Sequence, residues 1–345
     1  MLKILLIGPR QNKYDSTDTG GVTILFELLI SELIHQKINF TVIDTLKANY
    51  GSNFKMFFKI IPMLIKNIRT HDHISLHATM NSFLSLTPII IILAKLFSKT
   101  TSLRKFAGSF NDVYHDASFI KKNFMRFILK NTNYVFFETK YLVREFKVYN
   151  SNTFWFPNVR DESIQTTKTR SFNKRFVYIG SINAEKGIDE LCEAINQLDS
   201  SYTCDLYGPI KFKNEKYSIK YFNKININYC GTLNSNEVVK TMDKYDILIL
   251  PSHREGYPGV IIEAFALGIP IIATKLQGIM EMCKNDKNSI LIDIKEPQQL
   301  LLAIQSIDNQ KYQHLQKGAI QAFSNFNNNE QTILFLNSIN YNRAR

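Results

Sequence analysis

The stretch Pro251–Thr274, PSHREGYPGVIIEAFALGIPIIAT, places a strand end, a loop, a helix and a second strand within two dozen residues. The apolar run Ile247–Leu250 leads into Pro251, which cannot continue a central strand. Apolar spacing over Val260–Leu267 is helical and stops at Gly268 and Pro270. Pro270–Ala273 is apolar again and precedes Thr274. The order strand, loop, helix puts the amides of Gly256, Tyr257, Gly259 and Val260 at a helix N-terminus. Donors there lack intrahelical partners and carry partial positive charge, so the loop is suited to an anion. Glu255 precedes the helix and Glu263 lies about one turn inside it. Each carboxylate is a two-oxygen acceptor that fits paired sugar hydroxyls.

The same alternation extends outward on both sides. Before the block, Phe176–Ile179 leads into Gly180, Asp189–Leu198 is helical, Cys204–Tyr207 ends at Gly208-Pro209, and Ile227–Tyr229 leads to Gly231. After it, Ser289–Ile292 closes the series. The first half repeats the pattern with Leu2–Ile7, a helix Val22–His35 after Gly20-Gly21, then Phe40–Ile43, Ile74–His77 and Tyr134–Glu138. Strands alternating with helices predict parallel sheets covered on both faces. The fold class is α/β, with two Rossmann-like doubly wound domains facing each other across a cleft. Phe156-Pro157-Asn158 and the polar stretch Asp161–Lys174 read as a boundary and linker. The expected division is residues 1–160, 161–325, and a C-terminal segment 326–345 that ties the domains together.

Length and composition agree. At about 150 residues per domain, 345 residues suggest two domains. Hydrophobic residues are 45%, and Gly and Pro are 14 and 9, which excludes disorder, collagen-like repeats and a disulfide scaffold. Cys192, Cys204, Cys230 and Cys283 form no Cys-x-x-Cys pair and read as buried free thiols of a reducing cytoplasm. No secretory signal is read at Met1–Gly8. The apolar stretch Phe83–Phe97 falls short of a membrane span and reads as a buried helix. No Asp-x-Asp pair or histidine cluster points to a metal. The formal charge is +12, and it is uneven. Residues 1–165 carry 21 Lys and Arg against 12 Asp and Glu; residues 166–345 carry 21 against 18. Phe54–Arg69 and Ser118–Lys130 mix phenylalanine and isoleucine with lysine and arginine, as segments lying on an anionic membrane surface do. Ordinary amphipathic helices with a solvated basic face have the same pattern. No nucleic-acid-binding motif occurs.

The Pro251–Thr274 block resembles the retaining glycosyltransferases of family 4, which have the GT-B fold. Their frame, Glu-Gly-x-Pro followed by Glu-Ala-x-Ala-x-Gly-x-Pro, is filled here by Glu255, Gly256, Pro258, Glu263, Ala264, Ala266, Gly268 and Pro270. The resemblance implies that Glu255 contacts the donor sugar's hydroxyls and Glu263 the nucleotide ribose. Gly180-x5-Lys186-Gly187 resembles the family's Gly-Arg-x-x-x-x-Lys-Gly element, which implies that Lys186 neutralises the leaving diphosphate. Gly20 and Gly21 resemble the N-terminal glycine loop at the first helix, although a Gly-Gly pair also makes a plain turn. Gly208 and Gly231 resemble the loops that hold the base, and Phe156-Pro157-Asn158-Val159 the interdomain turn. Gly278, Ile279 and Glu281 resemble a Gly-x-x-Glu stretch read here as structural.

Two positions depart from the family. Ser181 stands where the family has arginine, and a hydroxyl supplies neither charge nor a guanidinium fork. Arg254 is the candidate substitute. Ala107 stands where many members have histidine, which leaves His77, Arg104 and Lys105 as acceptor-side candidates. The resemblance implies a retaining, metal-independent glycosyltransferase without a cofactor, acting in bacterial surface polysaccharide assembly. Its donor would be a UDP-, GDP- or ADP-linked sugar, and its acceptor a glycan or lipid-linked glycan. Its place would be the cytoplasm, peripheral on the inner face of the plasma membrane. The alternatives are a non-catalytic nucleotide-sugar-binding subunit, which Ser181 and Ala107 motivate, and a GT-B-shaped sugar-nucleotide epimerase or phosphorylase.

Overall fold

The computed structural model describes residues 2–14, 20–106, 110–166, 168–211 and 226–341. The chain divides into two compact units. One holds Met1–Arg160 and Asn327–Arg345, the other Asp161–Phe326.

In the first unit the strands are β1 (Ile4–Gly8), β2 (Phe40–Asp44), β3 (His73–Ala78), β4 (Thr100–Lys105), β5 (Tyr134–Phe137) and β6 (Thr153–Trp155). They form one parallel sheet in the order β2-β1-β3-β4-β5-β6. The helices between them are α1 (Gly21–His35), α2 (Asn53–Ile68), α3 (Met80–Leu96), α4 (Phe110–His115), α5 (Phe119–Asn131) and α6 (Lys140–Phe146). Every residue of β1 is buried because alternate side chains enter two different cores. Leu5 and Ile7 join the core under α2, α3 and α5. Ile4 and Leu6 join the core under α1 and the C-terminal helix Asn328–Ser338. That helix returns to the first unit beside the point where the chain left it, since Asn328 N donates to Arg160 O at 3.1 Å. Its Phe335 stacks on Phe156 with centroids 5.4 Å apart, and its Asn328 Nδ2 donates to Leu28 O. The apolar residues of the tail are thus core residues of the first unit.

Apolar runs did not reveal β4 and β6. β6 has only three residues, and β4 reads Thr-Thr-Ser-Leu-Arg-Lys with five of its six positions buried. A buried polar chain explains β4. His73 Nδ1 bonds Thr100 Oγ1 and His73 Nε2 bonds Ser102 Oγ, both at 2.8 Å. Ser102 Oγ donates to Ser75 Oγ at 2.8 Å, and Ser75 Oγ meets His77 Nε2 at 3.2 Å. Burial holds His73 down to about 3, so it folds neutral. The unfolded chain binds that proton near pH 6.5 and the folded chain does not, so stability is full above pH 6.5 and falls as pH drops toward about 3. The slope from this group is about 1.4 kcal/mol per pH unit. Urea midpoints at pH 7 and pH 4.5 are expected to diverge less in His73→Gln than in the parent, with His77 supplying the remaining slope. Equal divergence would place the acid sensitivity elsewhere.

In the second unit the strands are β7 (Arg175–Ile179), β8 (Thr203–Tyr207), β9 (Ile227–Tyr229), β10 (Ile247–Leu250), β11 (Ile271–Thr274) and β12 (Ser289–Ile292). The parallel order is β12-β11-β10-β7-β8-β9. The strand order reverses beside β7 and β10, the place where doubly wound sheets bind ligands.

The polar stretch Asp161–Lys174 is not a free linker. Thr166 N donates to Ala266 O, Arg170 pairs with Asp243, Asn173 N donates to Asp246 Oδ2, and Phe172 stacks on Tyr312. It lacks apolar signal because it is fastened to the second unit largely by side-chain hydrogen bonds. All four cysteines are free, but only Cys192, Cys204 and Cys283 are buried; Cys230, just after the edge strand β9, is exposed.

Candidate functional site

The second unit brings four loops together at the carboxyl ends of its strands. After β7, the turn Ala184–Lys186 is capped by Asn183, whose side chain accepts from Lys186 N, and Gly187 follows at φ +69°. After β10 comes Pro251–Pro258, and the helix Gly259–Ala266 begins behind it. His253 N donates to Glu185 O at 2.8 Å, which joins the two loops through the backbone. His253 Nε2 meets Glu190 Oε1 at 2.9 Å, which joins them again through side chains.

This stitching delivers Lys186 to Glu255. Lys186 Nζ donates to Glu255 Oε1 at 2.5 Å, and Ser252 Oγ donates to the same oxygen at 2.7 Å. Both bonds fall on Oε1, so Oε2 is the oxygen available to a ligand hydroxyl. The lysine side chain is 26% exposed and the carboxylate 12%, so the pair is screened but not closed off. Ser252 is fully buried and is itself held by Thr274 Oγ1, which donates to Ser252 O at 2.6 Å. Beneath the Gly180 turn, Tyr178 Oη donates to Ser181 O at 2.8 Å. Burial and, after it, the Glu255 charge raise the Tyr178 phenol far above its usual range, so it stays a donor.

Glu263 lies in the second turn of the Gly259–Ala266 helix and is half-buried. Gly256, Pro258, Gly259 and Val260 are half-buried around the helix start. The Tyr257 side chain is buried and packs edge-on against Phe326. Arg254 is exposed. The other loops are held by glycine. A Cβ on Gly208, at φ +143°, would stand 1.9 Å from Gly180 O, and Gly208 N donates to Gly231 O at 2.8 Å. The β7, β8 and β9 loops therefore meet at one edge. No group of three or more His, Cys, Asp or Glu side chains placed to hold a metal occurs among the described residues.

In the first unit, α1 starts at Gly21 with Gly20 as its cap, and a Cβ on either would meet nothing within 4 Å. A cavity of about 510 Å³ lies past β1, β2 and β3, lined by Pro9, Thr45, Leu46, Met56, Phe57 and Ser82 among others. His77, Arg104 and Lys105 are not at a surface. Each is at most 1% exposed. His77 packs against Phe26, Phe106 and Phe335. Arg104 stacks 3.8 Å over the Phe156 ring and donates to Pro157 O at 2.6 Å. Lys105 Nζ donates to Phe106 O. Burial lowers Arg104 to about 9 and Lys105 to about 8, opposed in each case by the Glu138 charge. The expectation that these three present themselves to an acceptor is corrected: strand alternation turns them into the sheet's two cores, where they fasten the boundary segment and the end of β4. Ala107 lies outside the described residues.

Ser252, Thr274, His253 and Glu190 were not singled out from the sequence as functional. Ser252, His253 and Thr274 lie within the quoted block, and a serine three residues before Glu255 was the available signal.

Two doubly wound units, with this loop and helix in the second, define the GT-B class of glycosyltransferase fold. Residues 159–322 match the family described as glycosyl transferases group 1. An uncharacterised glycosyltransferase of Methanocaldococcus jannaschii is 30% identical over 124 residues, which cover 36% of this chain and 35% of that protein. TuaC of Bacillus subtilis, provisionally named a teichuronic acid biosynthesis glycosyltransferase, is 32% identical over 140 residues, covering 41% of this chain and 33% of TuaC. The match thus spans about a third of these relatives. HepE of Anabaena, solved in complex with UDP, superposes with a TM-score of 0.76 at 15% identity, covering 99% of this chain and 100% of that one.

Proposed function

We propose that the protein is a retaining, metal-independent glycosyltransferase that moves a hexose-type residue from a nucleoside diphosphate sugar to a glycan or lipid-linked acceptor. We place this reaction in bacterial surface polysaccharide assembly, at the cytoplasmic side of the membrane. The observation that carries the reading is the Lys186–Glu255 pair held at a helix N-terminus. Lys186 supplies the cation for the leaving diphosphate, and the Gly256–Val260 amides supply donors aimed at the same charge. Glu255 Oε2 accepts from the donor sugar's hydroxyls, and Glu263 from the ribose. The cavity past β1, β2 and β3 is the place for acceptor groups. The relatives support the pathway, since TuaC is named for teichuronic acid, and HepE's complexes with UDP and UDP-glucose favour a uridine donor.

The test is nucleotide release by the full chain with UDP-, GDP- and ADP-sugars, a total lipid extract as acceptor, and Glu263→Ala as control. One donor is expected to be consumed. The Glu263→Ala variant is expected to lose about 10–100-fold in kcat/KM, the size of a charge-assisted hydrogen-bond pair. A protein stabilised by one nucleotide yet silent with every donor and acceptor would favour the non-catalytic subunit, for which Ser181 in place of arginine is the structural motive.

A further inference from the structure

We propose that the outer layer formed by α2, α3 and α5 is a docking face for an anionic lipid bilayer. The three helices share one core on one face of the first sheet, through Met56, Ile60 and Leu64, then Phe83, Leu86 and Ile90, then Met125 and Ile128. Lys95 Nζ at the end of α3 donates to Asn131 Oδ1 at the end of α5, and Met56 and Phe57 of α2 line one cavity with Leu84 and Leu86 of α3. Their opposite sides therefore make one continuous outer surface.

That surface is apolar where solvent should favour polar groups. Phe54 is 72% exposed, Phe58 68%, Leu96 73%, Phe119 76% and Ile120 81%. All the exposed phenylalanines among the described residues lie on α2 and α5. Folding has already buried the other side of each helix, so these side chains answer to no core of this chain. Charge on the layer has one sign. The three helices carry eight lysines and arginines and no aspartate or glutamate. At the chain's own acidic frequency about four acids would fall there. Lys55, Lys59 and Lys66 run beside Phe54, Phe58 and Ile65 on α2; Lys121 and Lys130 bracket Phe124 and Phe127 on α5. Aromatic side chains that insert below headgroups, flanked by ammonium groups at headgroup level, are what an anionic bilayer binds. A second copy of the chain would set eight like charges against eight.

Vesicle binding requires neither donor nor turnover, so its outcome is separable from the glycosyl-transfer reading. The full chain is sedimented with phosphatidylglycerol-containing vesicles and with pure phosphatidylcholine vesicles, at low and high salt. Binding to the anionic vesicles is expected to exceed neutral binding by about tenfold or more and to fall with salt. Phe58→Ser with Phe119→Ser is expected to abolish binding while leaving the melting temperature nearly unchanged, because Phe58 is 68% exposed and Phe119 76%. Lys55→Glu with Lys121→Glu is expected to erase the preference for anionic lipid. Absence of binding to either vesicle, or binding unmoved by these substitutions, overturns the proposal. So does a lipid-free dimer that the phenylalanine substitutions dissolve, which would make this face a self-interface.

Discussion

Lys186→Ala is expected to lower kcat for the consumed donor by about 10²–10³-fold, the cost of removing one preorganised donor from a developing charge. The ammonium is held at Glu255 Oε1 by a 2.5 Å bond, and its backbone by the Asn183 cap, so it arrives at the site without reorganising. Lys186→Arg should recover little, because a planar guanidinium cannot occupy the point position of an ammonium on a carboxylate oxygen that Ser252 also bonds. The variant should fold normally, since the side chain is partly exposed and contributes little to the core. Single-turnover rates with whichever donor the nucleotide-release test shows to be consumed check this. A kcat within threefold of the parent would remove Lys186 from the chemistry and with it the central claim about the pair.

Gly278→Ala is expected to destabilise the second unit by about 1–3 kcal/mol or more and to remove donor binding together. Gly278 lies in the short helix Gln277–Met282, and a Cβ there would stand 1.7 Å from Gly256 O. That carbonyl belongs to the loop between Glu255 and the helix start, so the backbone must move, and Glu255 with it. The contrast is Gly20→Ala and Gly21→Ala, where the space is open and stability should stay within about 0.5 kcal/mol. Urea unfolding and nucleotide-induced stabilisation of the three variants separate the cases. If Gly278→Ala binds nucleotide like the parent, the loop tolerates displacement and its geometry is less tightly specified than the close approach implies.

Much of the fold was legible because its signals are local. Continuous apolar runs marked β1, β10 and β12, and glycine or proline marked where strands end. β4 escaped because four of its five buried positions are threonine, serine, arginine and lysine: Ser102 bonds Ser75 on β3, Arg104 Nη2 reaches Pro157 O in the boundary segment, and Lys105 Nζ reaches Phe106 O. The Asp161–Lys174 stretch misled for a similar reason: polarity there reflects hydrogen bonding to the second unit rather than freedom. At the candidate site, Glu255, Glu263 and Lys186 are candidates that motif resemblance names, whereas Ser252 and the His253–Glu190 contact emerge only in the structure, since neither has a distinctive spacing.

By itself the sequence determined the strand–helix alternation and the Glu255-to-Glu263 frame, since each depends on periods and spacings that are local in the chain. Tertiary structure alone decided that Lys186 meets a carboxylate 69 positions away and that Gly278 presses on the Glu255 loop. It also decided that His77, Arg104 and Lys105 are interior, and that α2, α3 and α5 share a core on one face of the first sheet. The physical reason is that strand order and crossover packing decide which distant segments touch, and no local period encodes that order.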